Sequence, residues 1–148
     1  METNEMIEQE SFTYSFNTTK TPEGVFRMLL DIEQWWSGLH GETIKGDSSK
    51  LGDEFTFEAG GGMHYSKQKM VALIPNKSVV WEVTDSTLTF LNDTSEWTGT
   101  LLRFDISADD NKTKVTFTHD GLMPQVECYN QCSTVWPKYL EKLVQNLR

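Results

Sequence analysis

Residues 126–148 read VECYNQCSTVWPKYLEKLVQNLR and hold the pattern that decides the fold. In this segment apolar side chains recur every three or four residues, which is the spacing that places them on one face of an α-helix. We therefore predict a long C-terminal helix whose broad apolar face has to be covered by the rest of the chain. The positions on that face are Val135, Trp136, Tyr139, Leu140, Leu143, Val144 and Leu147.

Pro137 lies inside the same segment. A proline in a helix interior cannot donate a backbone hydrogen bond and costs about 3 kcal/mol or more. We therefore expect the helix to break or kink near Ser133 and Thr134. Either hydroxyl could then cap a restarted helix that has Pro137 in its first turn.

The chain ahead of this helix alternates between strand patterns and turn patterns. A first strand is predicted at residues 11–17, where aromatic and polar residues alternate. Two short helices are predicted next, the first with Thr21 as its cap and Pro22 in its first turn, the second ending at Trp36. The other predicted strands are residues 43–45, 54–58, 64–74, 78–85, 97–107 and 113–119.

Short separators rich in Gly, Asp, Asn and Pro divide these strands, which indicates hairpins and hence an antiparallel meander. A meander of this length has to curl, and the C-terminal helix can cover its concave side. The sequence thus predicts one α+β domain over residues 11–148, with a curved antiparallel sheet of about six to seven strands wrapped around the long helix. An apolar pocket is expected between helix and sheet. Residues 1–10, with four glutamates and no basic residue, are predicted to be a disordered acidic lead-in.

The charge balance argues against two classes of partner. The chain carries 13 basic and 22 acidic residues, a net charge of −9. Nucleic-acid binding needs clustered Lys and Arg, and an anionic membrane surface would repel this protein. The sequence has neither a secretory signal pattern nor the run of about twenty apolar residues that spans a membrane. We expect a soluble cytoplasmic protein, monomer or homodimer, that binds neither nucleic acid nor membranes.

Three segments carry a resemblance to a known family: Trp35-Trp36, the EWTGT run at residues 96–100, and residues 116–143. In these segments the chain resembles the START-like or SRPBCC superfamily of helix-grip (START/Bet-v-like) folds. The closer likeness is to the branch named for the activator of the heat-shock-protein-90 ATPase, and it extends over residues 11–147. The resemblance implies the helix-grip fold and a central cavity. It does not fix a function, because the superfamily includes lipid carriers, hormone receptors, polyketide cyclases and co-chaperone domains.

Few titratable residues are placed to do chemistry. Strand alternation puts His119 on the same face as Val115 and Phe117, where a histidine beside a carboxylate such as Glu82 could act as a general base. The interpretation that we favour is a strand-end histidine hydrogen-bonded to a loop. His64 follows a run of three glycines and is predicted to lie at the surface.

Cys128 and Cys132 are the two cysteines of the chain. Four residues apart on a helix, their Cβ vectors run parallel, which is poor geometry for a disulfide. Zinc needs three or four ligands, and no second cysteine pair exists, although His119 is a further candidate ligand. We predict reduced thiols that bind no metal and pack as small apolar residues.

The aromatic content favours a pocket protein that binds a hydrophobic or amphipathic small molecule without changing it chemically and without a cofactor. One alternative is a co-chaperone-like module with a chaperone as partner, although eukaryotic activators use an additional N-terminal domain for that contact. Another is a cyclase- or hydrolase-type enzyme that uses the pocket. The residues predicted to line the cavity are Trp35, Trp36, Phe55, Phe57, Trp81, Phe104, Phe117, His119 and Trp136.

Overall fold

A seven-stranded antiparallel sheet forms most of the fold. The computed structural model describes residues 11–148, so the predicted acidic lead-in lies outside the described residues. The strands are β1 (Phe12–Thr18), β2 (Thr43–Gly46), β3 (Glu54–Ala59), β4 (His64–Ile74), β5 (Ser78–Leu88), β6 (Leu101–Asp109) and β7 (Lys112–Asp120). The helices are α1 (Pro22–Leu30), α2 (Ile32–Trp35) and α3 (Tyr129–Asn146), with a short 3₁₀ turn at Gly60–Gly62.

The strand order is β1-β7-β6-β5-β4-β3-β2, so β2 to β7 form a meander and β1 joins it beside the last strand. The chain leaves β1 at one edge of the sheet and enters β2 at the other. Helices α1 and α2 make that crossing, and α1 packs on β5 and β6 while α2 contacts α3. This is the helix-grip architecture that the sequence predicted.

The start of α1 follows from its sequence. The Thr21 hydroxyl accepts a hydrogen bond from the backbone N–H of Gly24 at 3.1 Å, and Pro22 occupies the first turn, where its missing N–H is not needed. Val25 and Leu29 are fully buried on the side facing the sheet. The predicted cap and first turn are therefore confirmed.

The curvature of the sheet is concentrated between β4 and β5. Their pairing shifts register twice, between Lys67 and Gln68 and between Met70 and Ala72. Each shift leaves one strand with an extra residue, which bends the strand and increases its twist. The bent sheet turns its concave face toward α3.

Residues 97–100, predicted to open a strand, instead belong to the connection between β5 and β6, because β6 begins at Leu101. Gly99 has a φ of +94°, and the backbone N–H of Thr100 donates to the carbonyl of Trp97 at 3.0 Å. Both features belong to a turn and are incompatible with an extended strand. That part of the prediction is wrong.

Helix α3 runs without a break from Tyr129 to Asn146 and carries Pro137 in its interior. The predicted break near Ser133 and Thr134 is therefore wrong. Residues on both sides of the proline are fixed by burial, since Trp136 and Leu140 are at most 2% exposed. Burying such side chains stabilises by about 1.5–3 kcal/mol each, enough to offset the cost of the proline.

Within residues 11–148, the structure contains no helix with both the length and the apolar character needed to cross a membrane.

We expect Trp136→Ala to lower the free energy of unfolding by about 3–5 kcal/mol, the usual cost of removing a large core aromatic. The ring of Trp136 lies 4.5 Å from that of Phe117 in the sheet and 5.2 Å from that of Trp36, measured between centroids. Urea denaturation measures the change. Leu51→Ala, at a side chain that is 63% exposed, is the control and should stay within about 0.5 kcal/mol of the parent. A loss below about 1 kcal/mol for Trp136→Ala would contradict this packing.

Candidate functional site

A cavity of about 420 Å³ lies between the first half of α3 and the end of the sheet where β3 turns into β4. Its wall combines residues from α3, the β3–β4 hairpin and the loops that follow α2 and β5. The lining residues are Trp36, His40, Phe57, Ala59, Gly60, Met63, His64, Phe90, Trp97, Gln131, Cys132, Val135, Trp136 and Tyr139.

Four aromatic rings form a continuous wall of this cavity. Trp36 stacks on Phe57 with centroids 4.3 Å apart, and Trp97 lies nearly parallel to Trp136 at 6.0 Å. Trp36 and Trp136 join the two pairs at 5.2 Å. Because the rings come from four separate parts of the chain and support one another, the wall is largely preformed.

Three of the nine side chains predicted to line the cavity lie on its wall, namely Trp36, Phe57 and Trp136. The other six lie in the packed core: Trp35, Phe55, Trp81, Phe104, Phe117 and His119. They lie where the concave face is filled by side chains of the helices, α2 over Phe104 and Trp136 of α3 over Phe117 and His119. Trp35, for example, packs edge-to-face on Phe104, with centroids 5.4 Å apart, and leaves no room there for a ligand.

His119 is fully buried, and both of its ring nitrogens are engaged. Its Nδ1 accepts a hydrogen bond from the Trp136 indole N–H at 3.1 Å, which places the ring proton on Nε2. Nε2–H then donates to the hydroxyl of Thr100 at 2.9 Å, and that hydroxyl donates to the carbonyl of Trp97 at 2.7 Å. Burial, with a smaller contribution from nearby His64, lowers the pKa of His119 to about 3. The ring is neutral and has no free nitrogen with which to abstract a proton, and Glu82 is not on the cavity wall.

His64, predicted at the surface, is half-buried in the cavity wall. It pairs across the hairpin with the buried Ala59, so both side chains point to the concave face. Burial lowers its pKa to about 4. In the sequence, His64 stands six residues before the buried Met70, and in a strand that spacing places both side chains on the same face. The two inward-facing residues between them, Ser66 and Gln68, are polar, so the strand shows no clear alternation of apolar and polar residues.

Two glutamates hold the cavity mouth together. The Glu96 carboxylate accepts hydrogen bonds from the backbone N–H groups of Glu127 and Cys128 at 2.7 and 2.8 Å. The Glu127 carboxylate accepts in return from the N–H groups of Asn92 and Asp93 at 2.9 and 3.2 Å. The loop between β5 and β6 is thereby fixed to the segment that leads into α3.

Glu42 fixes the opposite side of the mouth. Its carboxylate accepts hydrogen bonds from the backbone N–H groups of Gly38 and His40 at 2.7 and 2.9 Å, and from the Tyr139 hydroxyl of α3. Partial burial acts to raise the pKa of Glu42, but these hydrogen bonds outweigh it and the pKa is lowered. Burial and the adjacent Glu42 raise the pKa of Tyr139, which therefore stays protonated as the donor. No pattern in the sequence predicted this pair, because its members are 97 residues apart.

Cys128 and Cys132 are paired as a disulfide in the structure, whereas the sequence predicted two reduced thiols. Their Cα atoms are 5.6 Å apart, within the usual range for a disulfide. Cys128 has helical backbone angles (φ −74°, ψ −10°) and its carbonyl accepts a hydrogen bond from the N–H of Cys132 at 2.8 Å, so the two cysteines are one helical turn apart at the start of α3. In the part of the chain from residue 11 onward, no three His, Cys, Asp or Glu side chains are grouped as metal ligands.

The two buried histidines predict a loss of stability in weak acid. Their pKa values are lowered in the folded state, so between the unfolded value of about 6.5 and the folded value the unfolded chain binds more protons. The free energy of unfolding should therefore fall as the pH drops below about 6.5. His64→Phe removes one of the two titrating groups. The free energy of unfolding of the variant, compared with that of the parent, should therefore be about 2 kcal/mol more favourable at pH 5 than at pH 8, as measured by urea denaturation. An unchanged difference between variant and parent at the two pH values would show that His64 titrates normally in the folded protein.

Comparison with known proteins adds four findings. A family model described as "Activator of Hsp90 ATPase homolog 1-like protein" matches residues 19–148. The solved structure of the Aha1 dimer from Colwellia psychrerythraea is 26% identical, with 93% of this chain and 95% of that chain covered and a TM-score of 0.72. Protein MLL2253 from Mesorhizobium loti shares the fold at 21% identity, with 90% and 95% covered and a TM-score of 0.68. No curated protein is similar enough in sequence to count as a match.

Proposed function

The chain belongs to the family of activator of Hsp90 ATPase homolog 1-like proteins, and we propose that its function is to bind a hydrophobic or amphipathic small molecule in the cavity beside α3. The molecule is held without being changed chemically. Family membership supports the fold of the pocket, and the argument for its use comes from the cavity itself.

The aromatic wall is the observation that carries this proposal. A volume of about 420 Å³ lies within the range of small-molecule sites. Apart from the Cys128–Cys132 disulfide, the polar lining side chains are His40, His64, Gln131 and Tyr139, and none of the lining residues is Lys, Arg, Asp or Glu. Apolar ligand surface buried in such a site contributes about 25 cal/mol per Å².

Two exposed apolar side chains mark the entrance. Met63 and Phe90 both line the cavity, yet they are 52% and 37% exposed. The backbone N–H of Thr89 donates to the carbonyl of Met63 at 2.9 Å, which keeps the two segments that carry them side by side. Exposed flexible apolar groups at the mouth let a hydrophobic ligand leave water before it enters the pocket.

The hydrogen bonds of His119, the candidate general base, favour binding over catalysis. The two nitrogens of His119 are occupied by Trp136 and Thr100. Proton abstraction would require breaking the hydrogen bond that joins α3 to the sheet.

The uncharged fluorescent probe N-phenyl-1-naphthylamine tests the proposal. It should bind saturably at one site and quench tryptophan fluorescence, because Trp36, Trp97 and Trp136 line the cavity. Val135→Trp, which places a large ring in the cavity, should weaken binding by about tenfold or more, equivalent to about 1.4 kcal/mol. Val71→Trp, at a side chain 40% exposed and not part of the cavity wall, is the matched control and should leave Kd unchanged. Absence of saturable binding to the folded parent would rule out the proposed function.

A co-chaperone-like interaction is the second candidate function, and the similarity to the Aha1 dimer favours it. The two candidates separate in an assay of ATP hydrolysis by an Hsp90-type chaperone. The pocket function predicts no change in that rate on addition of this protein. A saturable rise that Val135→Trp leaves intact would favour the co-chaperone instead.

A further inference from the structure

Two histidines share one aromatic environment but differ in their hydrogen bonds. His64 and His119 both pack edge-to-face against Trp97, each with its centroid 4.7 Å from that of the indole. His119 uses both of its nitrogens. The Nε2 atom of His64 is buried and has no hydrogen-bond partner among residues 11–148.

A buried ring nitrogen without a partner costs free energy, and native proteins retain few such atoms without a functional reason. His64 forms part of the cavity wall, so the cavity is the direction from which a partner can come. The indole N–H of Trp97, on the same wall, is also buried without a partner in the described part of the chain. The two rings that carry these unpaired groups pack edge-to-face on the cavity wall, with their centroids 4.7 Å apart.

Packing contacts, and no polar contact of the described residues, hold the His64 ring in its orientation. No hydrogen bond in the described structure restrains its rotation about the Cβ–Cγ bond, and its neighbours Phe57 and Trp97 contact it through ring faces and edges. Met63, the preceding residue on the cavity wall, is a flexible and half-exposed side chain. Rotation of the ring toward the cavity would therefore break no polar contact of the described residues.

We propose that His64 selects the ligand by hydrogen bonding to an uncharged hydroxyl group carried on an apolar, ring-containing molecule. This inference rests on the proposed binding function and specifies its ligand class.

The chemistry of the wall restricts the ligand group to a neutral one. A neutral imidazole has one donor and one acceptor nitrogen, and a hydroxyl can serve either, whichever tautomer is present. A carboxylate or an ammonium group would be desolvated in the cavity without an opposite charge, since none of the lining residues is a permanent ion. His64 itself supplies no charge at neutral pH, because burial lowers its pKa to about 4.

Naphthalene and 2-naphthol form the ligand pair for the test, because they differ by one hydroxyl group. Their dissociation constants are measured at pH 7 by tryptophan fluorescence with the parent, with His64→Phe and with Tyr65→Phe. The first variant keeps a ring but loses the nitrogens, and the second removes one polar group from an aromatic ring at the next position of β4, which is not part of the cavity wall. The preference for 2-naphthol over naphthalene should fall by about tenfold in His64→Phe and stay unchanged in Tyr65→Phe.

A spectroscopic measurement on the parent separates ligand contact from a structural role. The ¹⁵N resonances of the His64 ring should shift on addition of 2-naphthol and stay in place with naphthalene, while those of His119 should not move with either. This readout decides the question even if His64→Phe does not fold.

Unchanged ¹⁵N resonances, or an equal preference for 2-naphthol in the parent and a folded His64→Phe, would overturn the role of His64 and leave the pocket function standing. If neither compound binds the folded parent, the pocket function fails together with this inference.

Discussion

Trp136 connects the C-terminal helix to the sheet through one hydrogen bond and a set of ring contacts. Its indole N–H donates to Nδ1 of His119 on β7, and its ring packs on Phe117, Trp36 and Trp97. The hydrogen bond lies in a fully buried region, where an unpaired donor and acceptor would both be costly. It therefore fixes where along the sheet α3 rests, and the cavity is the space left between that point and the β3–β4 hairpin.

The backbone around this anchor is held by carboxylates at the surface. Glu96 and Glu127 link the β5–β6 loop to the start of α3, and Glu42 links the loop after α2 to Tyr139. Each carboxylate satisfies backbone N–H groups that a loop would otherwise leave without partners. Surface carboxylates thus fix the loops at the mouth of the cavity, while contacts between buried rings fix its wall.

The two buried histidines show how burial separates roles among identical side chains. In His119 the low pKa accompanies complete hydrogen bonding, so the ring is part of the framework. In His64 it accompanies an unpaired nitrogen beside a cavity, so the ring is available for recognition. The distinction lies in the neighbours and not in the residue, since both rings contact Trp97.

The sequence by itself determined an antiparallel meander covered by a long C-terminal helix, because the main signals are local: the period of three to four in residues 126–148, the cap at Thr21 and the hairpin separators all act within a few residues. It also identified Trp36, Phe57 and Trp136 as inward-facing aromatic residues. The tertiary structure decided the rest. Packing between segments far apart in the chain decides three features. It decides whether Pro137 breaks the helix, whether Trp97 lies in a strand or a turn, and which half of the concave face stays open. The Glu42–Tyr139 contact and the cavity position of His64 depend on the same packing, and hydrophobic periodicity along one segment does not encode it.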